Sequence, residues 1–211
     1  MNTIGIDFSL NYSSICVSND DKLYYYSLIR SERQTKKQNS LINELGKINC
    51  QQTIYLPKNQ EIEDDYSKKE INKILDANII TKEIINIINK YDKISNIIIE
   101  GFSFGSLGQR ALELGGYQFI LRKEILELKD KNLKILAPST IKKTAGKGNY
   151  SKIEMFKAYV NNSSQDNILE NCNVRKFILN NQENIFINNK TILEPVCGLI
   201  DSYWVQRTFS K

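Results

Sequence analysis

Three short apolar runs open the chain. Thr3 to Asp7, Ser13 to Ser18 and Lys22 to Ile29 each have the length and the β-branched or aromatic content of a strand. Asn19-Asp20-Asp21 supplies turn chemistry between the last two, so the three predict an antiparallel meander. From Arg30 to Ser67 the pattern is polar and irregular, with a short helix near Leu41 to Lys47 and an extended piece at Thr53 to Leu56. Lys68 to Tyr91 then repeats Ile71, Ile74, Leu75, Ile79, Ile84, Ile85 and Ile88 at helical spacing, which predicts an amphipathic helix lying on a sheet. Asn96 to Ile99 is an unbroken apolar run ending at Glu100, as in a central strand covered on both faces. Gln109 to Leu128 reads as a second long helix, Leu133 to Leu136 as a fifth strand and Lys152 to Val160 as a third helix. Asn161 to Lys190 is polar and Asn-rich, an insertion or a loosely held lobe. Pro195 to Phe209 closes the chain as a helix, with Pro195 suited to its first turn.

This order predicts an α/β fold: a mixed five-stranded sheet, three antiparallel strands followed by parallel ones, flanked by helices. At 211 residues, 41% of them hydrophobic, the chain has the size of one domain spanning 1–211, with insertions at 30–67 and 161–190. On the helix from Gln109, the residues Leu112, Leu114, Tyr117, Ile120, Leu121 and Ile125 provide one stripe for a core and another for a two-fold axis.

Composition removes several classes of chemistry. With no histidine, the chain has neither Ser-His-Asp nor Cys-His catalysis nor a His-ligated metal. Cys16, Cys50, Cys172 and Cys197 form no CxxC pair and read as reduced thiols. Catalysis therefore falls to carboxylates, lysines, hydroxyls or a hard metal ion. Lys plus Arg number 29 against 24 Asp plus Glu, a net +5 that mildly favours anionic partners. No apolar run approaches the roughly 20 residues that cross a bilayer, and the N-terminus enters a strand pattern directly, so the expectation is a soluble cytoplasmic protein with no membrane partner.

The acids carry the sharpest signal. Asp7 interrupts the buried strand Ile4-Gly5-Ile6-Asp7, and Glu100 does the same after Ile97-Ile98-Ile99. Charge is costly in such places unless something compensates it. If these two strands are neighbours, the carboxylates face each other, and Asp201 in the terminal helix can join them. Three crowded carboxylates repel one another and raise each other's pKa values, which makes sense with a divalent cation between them. Oxygen-only ligation points to Mg²⁺ or Mn²⁺, two per site at roughly 3.5–4 Å for phosphodiester hydrolysis, bridged by Asp7. The plain alternative is that each acid only caps the end of an element.

Lys142-Lys143, Gly146-Lys147-Gly148-Asn149 and Lys152 form a basic, glycine-bearing loop leading into a helix. Such a loop lets backbone approach phosphate while lysines add charge, and it holds DNA without reading sequence. A Walker loop is excluded because its Gly-Lys-Ser/Thr ending is missing; a solvated charge cluster remains the alternative. Phe102 and Phe104 follow Glu100 in a Gly- and Ser-rich loop, where a ring can stack on or wedge between unpaired bases, or pack down beneath the loop.

Four blocks in order, Gly5-Ile6-Asp7-Phe8-Ser9-Leu10, Glu100 to Ser106, Pro138 to Lys152 and Ile200 to Trp204, resemble the RuvC-like Holliday-junction resolvases of bacteriophage type, within the ribonuclease H-like superfamily. The resemblance implies a ribonuclease H-like fold. It also implies a homodimer in a phage-infected host that nicks four-way DNA junctions symmetrically, with Asp7, Glu100 and Asp201 as metal ligands and Lys152 near the scissile phosphate. One departure stands out. The family carries a fourth acid, or histidine, one helical turn before the last Asp, where this chain has Gly198 and Cys197. Glu194 lies seven residues back, about 10 Å along a straight helix, and reaches the site only if the helix start bends. Rival expectations are a nuclease for flap or hybrid substrates and a non-catalytic junction-binding protein. A sugar- or acetate-kinase-like ATPase needs a second domain that this length does not hold.

Overall fold

β1 (Thr3–Asp7), β2 (Tyr12–Asn19) and β3 (Lys22–Ile29) form the expected antiparallel meander. Asp20 and Asp21 turn between the last two at φ 47° and 59°, the left-handed region that a two-residue hairpin demands and Asp tolerates. The computed structural model describes residues 2–30, 34–57, 65–102, 109–161, 167–188 and 190–209.

α1 (Lys36–Leu45) starts earlier than its apolar residues announce, because Thr35 and Gln38 close a capping box ahead of them. It leads to β4 (Gln51–Tyr55), which pairs in parallel with β3 and adds a sixth strand to the five expected. Gln51, Gln52 and Thr53 give this edge strand little apolar signature. After α2 (Tyr66–Asn89), β5 (Asn96–Glu100) joins β1 in parallel. After α3 (Gln109–Glu127), β6 (Asn132–Leu136) joins β5. The sheet order is β4-β3-β2-β1-β5-β6.

α4 (Pro138–Ala145) corrects the sequence reading, which placed Lys142 and Lys143 in a loop; both lie in the last turn of a helix begun by Pro138. α5 (Lys152–Asn161) follows. The Asn-rich segment folds into α6 (Asn167–Glu170), α7 (Asn173–Asn180), α8 (Gln182–Ile185) and a small hairpin, β7 (Phe186–Ile187) with β8 (Thr191–Ile192). It is not a loose lobe: Leu169, Val174, Ile178 and Ile185 are fully buried in a core. The chain ends with α9 (Val196–Arg207).

Side chains alternate across a strand, so the sheet has two differently covered faces. Ile4, Ile6, Ile15, Val17, Ile97 and Ile99 pack against α2 and α3. The opposite face, with Cys16 and Ile98, packs against α9, α5 and α7. Gly5, Asp7, Ser14 and Glu100 share the parity of that second face. On α3, Tyr117, Leu121 and Ile125 are buried, whereas Leu112 is 79% exposed. Among the described residues, no helix is long and apolar enough to cross a membrane.

Candidate active site

Parallel pairing of β1 with β5 sets Ile6 beside Ile99, which brings the next residues, Asp7 and Glu100, to one end of the sheet and one face of it. α9 crosses this face in close contact. Gly5 makes the approach possible, since a Cβ there would stand 2.3 Å from the Gln206 backbone nitrogen. Gly198 does the same at the other end, where a Cβ would stand 2.5 Å from Ser14 Oγ. Gln206 Nε2 also donates to Thr3 Oγ1 at 2.6 Å. The start of α9 thus lies over Ser14, the cross-strand partner of Asp7, and its end over Thr3 and Gly5. Asp201 falls between them, 6% exposed.

The carboxylates act on one another. Burial holds the Asp7 carboxyl well above the usual carboxylate range; Asp201 adds to the shift, Lys152 opposes it, and Glu100 and Glu194 raise it further. Burial also raises Glu100, with Lys152 and Lys142 opposing and Asp201 adding. The acids at 7, 100 and 201 are therefore electrostatic neighbours, and Glu194 is a fourth.

Lys152 Nζ forms an ion pair with Asp201 Oδ2. Two features place it there. Ser151 and Glu154 form a capping box, with the Ser151 N–H donating to Glu154 Oε2 at 2.7 Å and the Glu154 N–H donating to Ser151 Oγ at 3.3 Å, which fixes the start of α5 at Lys152. Three residues on along both helices, Trp204 Nε1 donates to the Met155 carbonyl at 3.2 Å. α5 and α9 thus meet in register, and the lysine that opens α5 lands on the acid in α9. Loss of solvent works against the ammonium charge, but Asp201 and Asp7 outweigh it and hold Lys152 above its ordinary range. Its side chain remains 57% exposed, so it is able to swing toward a ligand.

Glu194 reaches the site because it is not on the helix. Pro195 stands ahead of α9 with φ −87° and ψ 2°, and Glu194 folds back so that its Oε2 accepts the Gly198 N–H at 3.1 Å. Burial pushes its carboxyl up to about 7, with the Gly198 hydrogen bond opposing and Asp201 adding. Cys197 Sγ lies 3.6 Å from Asp201 Oδ2, and burial keeps its thiol protonated. Ser14 escapes sequence reasoning altogether. Its hydroxyl is fully buried and has no hydrogen-bond partner among the described residues.

Of the basic residues, Lys152 and Lys142 act on the acids. Lys142 acts on Glu100, while Lys143, Lys147 and Asn149 are exposed. The glycines between them serve internal packing: Tyr150 covers Gly146 where a Cβ would meet its ring at 2.5 Å or closer, and the Lys143 stem lies 3.3 Å from the same point on Gly148. Phe102 is partly buried, 6.0 Å centroid to centroid from Phe119, with the Arg122 guanidinium 4.6 Å above its ring. It packs on α3, which is the second of the two outcomes expected for it. Phe104 lies outside the described residues.

The donor set suits a hard divalent cation in its chemistry: four carboxylates face one ammonium, and an unpartnered buried hydroxyl stands among them. Among the described residues, no group of three or more His, Cys, Asp or Glu side chains is already gathered as a metal-binding cluster. The Lys152 ammonium holds Asp201 instead.

No protein-family model matches the chain, and no curated protein matches its sequence. Solved structures do. A Thermus thermophilus RuvC structure is 13% identical with a TM-score of 0.52, covering 100% of this chain and 93% of that one. T. thermophilus RuvC in complex with Holliday junction substrate is 11% identical with a TM-score of 0.56, covering 100% and 92%. At such identities the likeness is one of fold: the six-stranded mixed sheet and its helices have the RuvC-like, ribonuclease H-like arrangement.

Proposed function

We propose that this chain of RuvC-like fold is a structure-selective DNA endonuclease that resolves four-way or otherwise branched junctions by divalent-metal-dependent phosphodiester hydrolysis, leaving paired symmetric nicks. One observation carries the reading: Asp7, Glu100 and Asp201 come from distant parts of the sequence to one end of one sheet face, acting on one another beside Lys152. That the same fold has been solved with a Holliday junction substrate supports the choice of DNA.

Asp7, Glu100 and Asp201 would hold Mg²⁺ or Mn²⁺, two ions per site. When bound, these supply Lewis-acid charge at the phosphate and lower the pKa of water. Asp7 supplies the central carboxylate, with Glu100 and Asp201 on either side. Lys152, released from Asp201, places its ammonium at the scissile phosphate, where negative charge grows. Lys142, Lys143, Lys147 and Asn149 grip flanking phosphates and fix register without reading bases. Phe104, further along the segment leaving Glu100, would stack against unpaired bases at the junction centre, while Phe102 packs on α3. The chain, 1–211, serves as one nuclease domain.

A homodimer presents two such sites to opposing strands. Leu112, Phe119 and Leu126 lie seven residues apart on α3 and are 79%, 64% and 68% exposed, an apolar stripe suited to a two-fold contact. The Lys152–Asp201 ion pair favours a second reading, a junction-binding protein without catalysis, since the ammonium already satisfies one of the ligands. Incubation with junction, flap and hybrid substrates in Mn²⁺ separates these. Nicking confined to the junction is expected; preferential cutting of flap or hybrid, or binding without cutting, overturns the assignment.

A further inference from the structure

α9 carries no acid one turn before Asp201, and its packing leaves no room for one at position 198, where a Cβ would already stand 2.5 Å from Ser14 Oγ. Two oxygen groups border that space instead. Glu194 Oε2 accepts the Gly198 N–H at 3.1 Å and lies 3.4 Å from the same Cβ position. Ser14 Oγ borders it as well, 0% exposed and, among the described residues, without a hydrogen-bond partner. Ser14 is the cross-strand partner of Asp7, so the two side chains leave the sheet on the same face. A buried hydroxyl with no partner is rare in a folded protein, and a bound ion or its water is among its few explanations. The carboxylate of Glu194 also bears on Asp7, and that of Asp201 on Glu194.

We propose that Glu194 and Ser14 form an oxygen-donor subsite for a hydrated divalent cation beside Asp7 and Asp201, with Glu194 supplying from the preceding loop the carboxylate that position 198 has no room to carry. The inference rests on the reading of the site as a metal-dependent centre and assigns two further residues to it. The chemistry is suited to the task. Mg²⁺ and Mn²⁺ favour oxygen ligands, and Mg²⁺ usually keeps several of its waters and takes only one or two carboxylates. Glu194 offers a carboxylate with one oxygen anchored by a backbone amide, so its orientation is fixed before the ion arrives. Ser14 offers a partner for a coordinated water, which needs two or more polar neighbours to reside in a buried place.

The test is calorimetric titration of Mn²⁺ into the metal-free 211-residue chain, comparing wild type with Glu194→Gln, Ser14→Ala and Asp7→Asn. Wild type is expected to bind two ions per chain. Glu194→Gln, which keeps the size of the side chain and its acceptor oxygen, is expected to weaken one of them by about tenfold or more, and Ser14→Ala to weaken the same step by a smaller factor. Asp7→Asn is expected to lose both. Circular dichroism in EDTA establishes that each variant is folded; should Glu194→Gln fail there, Ser14→Ala carries the test alone, and unchanged affinity in it overturns the inference. Wild-type stoichiometry and affinity in Glu194→Gln, with binding lost in Asp7→Asn, overturn the inference and leave the nuclease reading standing. No Mn²⁺ uptake by wild type overturns both.

Discussion

At the scale of single residues, the site is defined by negative charge in excess of what the protein itself neutralises. Lys152 neutralises Asp201, while burial and the neighbouring acids shift Asp7, Glu100 and Glu194 upward. For Glu194 the shift runs from 4.5 to about 7. A carboxyl whose folded pKa is raised binds more protons folded than unfolded, so its contribution is complete below the unfolded value and lost as pH rises through the folded one. Relative to Glu194→Gln, the metal-free wild type is therefore expected to lose stability between pH about 5.5 and about 8, by on the order of 3 kcal/mol at most, read as a difference in the pH dependence of the two melting temperatures. The same pH dependence in wild type and variant contradicts the assignment. Asp7 and Glu100 were legible in the sequence because an acid ending an apolar run is conspicuous. Ser14 was not, since a serine in a strand reads as ordinary and only the approach of α9 gives it meaning. Glu194 was legible as a residue but not in its position, which depends on where the helix begins relative to Pro195.

At the scale of elements, α9 decides the geometry, and two glycines on opposing partners set its distance from the sheet. Gly198→Ala places a methyl 2.5 Å from Ser14 Oγ and 3.2 Å from Ser14 Cβ. Overpacking of this kind costs about 1–3 kcal/mol, which urea unfolding would read as a fall in midpoint at unchanged slope. Ser14→Ala in the same chain removes the nearest atom and should recover part of the loss. Equal stability of Gly198→Ala and wild type contradicts the close contact. The strands and long helices were legible from periodicity because each buries a regular face. α1, α4 and β4 were harder: the first two owe their starts to Thr35 and Pro138 rather than to apolar spacing, and β4 is a short polar edge. The Asn-rich segment misled for a related reason, since its few apolar residues sit on short helices that complete a core they could not form alone.

At the scale of the molecule, one sheet divides two cores, and the site opens at the end where β1 and β5 finish beneath α9. The far face carries α3, whose outward Leu112, Phe119 and Leu126 have no counterpart in the core. Phe119→Glu is expected to convert a dimer to a folded monomer in sedimentation velocity and to uncouple the two nicks. A monomeric wild type at all concentrations contradicts that stripe as an interface. The central claim, that acids from β1, β5 and α9 make a cation-dependent centre for cutting DNA branches, is tested most directly with a synthetic four-way junction labelled on each strand in turn. In Mn²⁺, wild type should give nicks at symmetric positions on two opposing strands, and Asp7→Asn should bind the junction with similar affinity yet cut it less by more than the roughly 10–100-fold that loss of a group behind a metal ligand costs. Wild type and Asp7→Asn giving the same products, or neither cutting while both bind in EDTA, contradicts the claim.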